Sequence, residues 1–139
     1  MLEQVSAREI AVSGLRAQRL RMNIIANNIA NAMTTRTPDG GAFRRQMVLL
    51  RGEELHSGAG LERAGVQVKR VVRDTAPLRQ VFQPDHPDAD ASGYVSYPNV
   101  NLATEMVDLI SAQRAYEANI AVLVTGTRMQ ERALDIISA

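Results

Sequence analysis

His86, Asp88 and Asp90 are the residues of this chain that come nearest to a metal-binding set, within Pro84-Asp85-His86-Pro87-Asp88-Ala89-Asp90. A bound metal usually takes three or more ligands, each held by hydrogen bonds behind it. The only other histidine, His56, falls in a different segment, so the run reads as a surface turn stiffened by its prolines. Two carboxylate pairs on a helix, Glu105 with Asp108 and Glu131 with Asp135, suggest acid–base work. Both have basic neighbours such as Arg114, Arg128 and Arg132, and a solvated helix face is the expectation for each. There is no glycine-rich phosphate loop after a strand, no nucleophile elbow and no zinc-binding helix. The chain has no cysteine, which removes disulfides and thiolate chemistry. An enzyme is not expected, and neither is a cofactor, a metal or a small-molecule substrate.

The most unusual polar residues are Asn27, Asn28 and Asn31, set beside Ile24, Ile25 and Ile29. Asparagine is a poor helix former because its amide competes for backbone hydrogen bonds. These amides either cap a helix end or bond to neighbouring subunits. The second use is the expectation here.

Two long helices must position these residues. Ser6 to about Asn31 is predicted to be one amphipathic helix, with Ser6 as N-cap and Glu9 completing a capping box. Its apolar stripe is Ala11, Leu15, Gln18, Met22, Ile25 and Ile29, and Arg8, Arg16, Arg19 and Arg21 lie on the polar face. Gly14, inside it, predicts close packing of another helix. The second helix starts near Asn101, with Asn99 or Asn101 as cap and Glu105 and Asp108 near its positive end. It should run some 36 residues, roughly 55 Å. Its seam is Leu102, Met106, Leu109, Gln113, Tyr116, Ile120, Leu123, Thr127, Gln130, Leu134 and Ile137, in spacings of four and three. Such a stripe must pack on another helix, and polar seam positions fix register at some cost in stability. Gly126 is the expected point of bending or fraying.

Between the helices the period is lost. Phe43 to Leu50, Gly65 to Asp74, Arg79 to Gln83 and Tyr94 to Tyr97 are predicted strands, with a bulge near Arg70-Val71 and a mobile loop from Glu53 to Gly65. The expected fold class is α+β: a coiled-coil-like pair of terminal helices with a small β-rich middle domain. The boundaries are 1–33, 34–98 (flexible near 53–65) and 99–139.

Composition agrees with an assembly part. Of 139 residues 45% are hydrophobic but only 4% aromatic, which suits helix seams better than a thick core. Residues 1–50 carry seven arginines against three acids, and the remainder leans acidic, so opposite ends attract weakly. Neither half is basic enough for nucleic acid. No run approaches the roughly 18 apolar residues of a membrane span. The first residues lack the basic start and apolar run of a cleaved secretory signal.

Ser13-Gly14-Leu15-Arg16-Ala17-Gln18 through Met22-Asn23-Ile24-Ile25-Ala26-Asn27-Asn28-Ile29-Ala30-Asn31-Ala32 resembles the N-terminal signature of bacterial flagellar rod and hook proteins. Pro38-Asp39-Gly40-Gly41, Pro84 to Asp90, Gly93-Tyr94-Val95, Pro98-Asn99-Val100-Asn101, Glu105-Met106-Val107-Asp108 and Arg114-Ala115-Tyr116-Glu117-Ala118-Asn119 narrow the resemblance to the proximal rod members. The resemblance covers nearly the whole chain. It implies paired terminal helices stacked into an axial tube in the periplasm, which transmits torque and encloses an export channel. It further implies type III export without a cleaved signal. Implied partners are FlgB, FlgF, the distal rod protein FlgG, the adaptor FliE and copies of the chain itself. The subunit interface expected from seam and signature is Leu15, Met22, Ile25, Asn27, Asn28, Ile29, Asn31, Leu102, Met106, Leu109, Gln113, Tyr116, Ile120, Leu123, Leu134 and Ile137. Two other readings stay open: a sibling rod subunit, separated by the rod layer it occupies, and a cytoplasmic coiled-coil regulator, separated by cell fractionation. A hydrolase using His86, Asp88 and Asp90 would be ended by unchanged motility of the triple alanine variant.

Overall fold

The computed structural model describes residues 7–57 and 60–138 and has an α+β architecture. Helix α1 spans Ala7–Ala30 and helix α2 spans Leu102–Ser138, 24 and 37 residues. They pack antiparallel: Asn28 meets Glu105, Arg21 meets Asp108 and Gly14 lies against Asn119. Asn101 is the cap of α2, its Oδ1 accepting the Thr104 N–H at 3.2 Å. The Ser6 cap expected for α1 lies outside the described residues. The fraying expected at Gly126 does not occur: α2 continues through it without a break. One glycine costs about 1 kcal/mol in a helix interior, too little to interrupt so long a segment.

The seam between the helices also differs from the expected stripe. Glu105 and Ala112 are fully buried and Asn119 half-buried, at seven-residue spacing on α2. Leu102, Met106, Gln113 and Ile120 are exposed, while Leu109, Tyr116 and Leu123 are half-buried. On α1 the buried residues are Ala11, Ala17, Ile25 and Asn28. Small side chains at the contact let the two backbones approach, so the larger apolar residues are pushed to the flanks. Gly14 marks the tightest point, where a Cβ would come within 2.8 Å of the Asn119 Oδ1. The Asn119 amide cannot swing away freely, because its Nδ2 donates to the Ala115 carbonyl at 2.8 Å. Gly14→Ala should therefore destabilise the pair despite a helix-propensity gain of about 1 kcal/mol. Adding Asn119→Ala should restore the loss, as read from the urea midpoint of the assembled protein.

The middle segment holds two small antiparallel sheets. Strands β1 (Gln46–Ser57) and β2 (Gly60–Arg73) form a long hairpin, and β3 (Arg79–Phe82) pairs with β4 (Tyr94–Tyr97). The hairpin corrects two expectations. The first strand begins at Gln46 instead of Phe43, and the segment near 53–65 expected as a loop is strand up to Ser57 and again from Gly60, with 58–59 lying outside the described residues. The residue order there shows no apolar alternation, which left the strands illegible in the sequence. The expected bulge is present one residue early: Leu49 opposes Arg70 while Leu50 opposes Val68, leaving Lys69 as the extra residue. The shift keeps Val48 with Val71, and Leu50 with Val68, on one face.

The hairpin lies along α1. The Ser13 hydroxyl donates to the Ile10 carbonyl at 2.7 Å and accepts the Val66 N–H at 3.0 Å. Gly65 makes this approach possible, since a Cβ there would sit 2.7 Å from the Ser13 Oγ and its φ is +96°. Gln46 is held by Asn28 at the other end. Six strand residues at ~3.3 Å and fifteen helix residues at ~1.5 Å both measure roughly 20 Å, so the two elements stay in step.

Few apolar residues are buried by all this. Among the described residues the buried apolar set is Ala11, Ala17, Ile25, Ala32, Val95, Tyr97 and Ala112. The accessible surface is 10180 Å², against about 7,100 Å² expected for a compact monomer of this mass. The chain carries far more surface than a self-sufficient domain.

Candidate subunit interface

A buried polar joint fixes where each element sits. Asn28, 1% exposed, donates from Nδ2 to the Gln46 carbonyl at 2.8 Å and to the Glu105 Oε2 at 3.0 Å. Its Oδ1 accepts the Gln46 N–H at 2.9 Å. Arg45 Nε donates to the Glu105 Oε1, and its guanidinium also reaches Asp108 at 3.4 Å and Asp74 at 3.9 Å. Arg21 contacts the other Asp108 oxygen at 3.4 Å. Asn99 accepts the Arg45 N–H at 2.9 Å and donates to the Ala76 carbonyl at 3.1 Å. One asparagine, one arginine and one glutamate thus tie α1, β1 and α2 together.

Two expectations are corrected here. Asn28 bonds within its own chain and is not available to a neighbour. Glu105 and Asp108 are not a solvated face; Glu105 is fully buried against Arg45. Of the two residues considered as the α2 cap, Asn101 takes that role, and Asn99 instead accepts the Arg45 N–H just before β1. The partners of Glu105 lie 60 and 77 residues away, so nothing local to its helix announces them. The one usable signal was Asn28 itself, a helix-disfavouring amide amid isoleucines.

Asn27 and Asn31 serve the end of α1. Asn31 Nδ2 donates to the Asn27 carbonyl at 2.9 Å and the Asn27 Oδ1 at 3.0 Å, and Asn31 Oδ1 accepts the Thr34 hydroxyl at 3.2 Å. Asn27 is exposed and Asn31 half-buried. The residues once considered for a metal are committed to turns. His86 Nδ1 accepts the Asp88 N–H at 3.0 Å, Asp88 binds Arg36 and the Thr35 hydroxyl, and Asp90 accepts the Ser92 and Tyr94 N–H groups. Among the described residues, no group of three His, Cys, Asp or Glu side chains could hold a metal ion.

The remaining predicted interface residues line one side of the helix pair. At 100° per residue, Leu15, Met22 and Ile29 fall on one flank of α1, and Leu102, Met106, Gln113 and Ile120 on the matching flank of α2. The antiparallel arrangement turns both flanks the same way, opposite to the flank of α1 that carries Ser13 and the hairpin. Leu15, Met22 and Ile29 are half-buried, and Ile25 is buried between the helices. Met106 is 60% exposed and Ile110, beside it, 53%. Leu134 is also exposed, and the side chain of Ile137 lies outside the described residues. The arrangement offers no reacting groups; it offers a broad apolar strip with nothing packed on it among the described residues.

Comparison with known proteins shows the family to which the chain belongs. Residues 9–36 match the family described as flagella basal body rod protein, and residues 91–136 match the C-terminal family of flagellar basal body rod FlgEFG proteins. The flagellar basal-body rod protein FlgC of Borreliella burgdorferi is 44% identical over 95% of this chain and 96% of its own length. The FlgC proteins of Salmonella typhimurium (41%, over 92% of this chain and 93% of theirs) and Bacillus subtilis (39%, over 91% and 93%) are similar along the same extent. The chain belongs to the FlgC family of flagellar basal-body rod proteins, structural subunits of the rod.

Proposed function

We propose that this rod subunit builds the proximal part of the axial shaft, with its terminal helix pair in the tube wall and the middle segment outside it. The divisions 1–33, 34–98 and 99–139 correspond to those parts. In this reading the shaft crosses the periplasm, transmits torque to the hook and encloses the export channel, and the subunit is a structural part with no catalytic role. It is exported by the type III apparatus without a cleaved signal, and its neighbours are FlgB, FlgF, FlgG, FliE and further copies of the chain.

The observation that carries this reading is the uncovered apolar side of the helix pair. The interface we assign is Leu15, Met22 and Ile29 with Leu102, Met106, Leu109, Gln113, Tyr116, Ile120, Leu123 and Leu134. Burying an exposed Leu, Ile or Met contributes roughly 1.5–3 kcal/mol each, which supplies the stability that the small core lacks. A charge placed there has the opposite effect. Met106→Asp with Ile110→Asp should remove the chain from purified basal bodies and stall hook assembly in a deletion strain complemented with the variant. Motility equal to the parent chain would overturn the assignment. A parent chain that stays with soluble protein on fractionation would favour a cytoplasmic regulator.

A further inference from the structure

We draw no further inference here: the strongest candidate, the exposed aromatic pair of Phe82 and Tyr94 on one face of the β3–β4 sheet, carries none because nothing in the structure shows what covers it.

Discussion

Replacing Arg45 by Met should abolish incorporation of the chain into basal bodies. The substitution keeps much of the side-chain volume but removes the guanidinium from Glu105, a carboxylate with no solvent exposure. Removing one partner of a buried ion pair costs roughly 3–5 kcal/mol, because the remaining charge is left without water or counter-charge. The Asn28 amide still donates one hydrogen bond to Glu105, which softens the loss without cancelling it. A penalty near 4 kcal/mol is about a thousand-fold in an equilibrium constant, enough to separate the hairpin and α2 from α1 in most molecules. The companion variant decides the mechanism. Arg45→Met with Glu105→Leu takes both charges out, and well-packed apolar replacements of buried pairs are often close to neutral. Incorporation should recover with the double variant, as measured by quantitative blotting of purified basal bodies and by swimming in soft agar. Full incorporation of the single variant would mean that the joint does not set the orientation of the three elements.

The second large effect concerns the isolated chain. With 24 and 37 residues in its two helices, the packed form should give a strong helical circular dichroism signal. Dilute purified protein should give less than half of it, with no cooperative melt. Ordering a residue costs roughly 1–2 kcal/mol in backbone entropy, and the buried apolar set is short and made mostly of alanines. The distal part of α2, with Met129, Leu134 and Ile136 exposed, has the least to hold it. Coupled folding and assembly then supplies the missing burial. A dilute monomer at full helicity with a single sharp transition would refute this and would leave the exposed strip without its purpose.

Much of this molecule was legible from residue order alone. Both helices, a cap of α2 at Asn99 or Asn101, the close contact at Gly14 and the β3 and β4 strands follow from spacing, capping chemistry and turn residues, which act over a few positions. The apolar stripes were legible too, but not what they face. A stripe says that a helix has a partner and leaves the partner's identity open. Tertiary structure decided that the internal seam takes the small residues, because Gly14, Ala17 and Ala112 admit a closer approach than the leucines do. It likewise turned Asn28 and Glu105 inward, through contacts with Arg45 and Gln46 that no local pattern encodes. Short-range rules reach a turn or two along the chain. Which distant residues share a buried site depends on the path the backbone takes between them, and that path is settled only when all the elements pack at once.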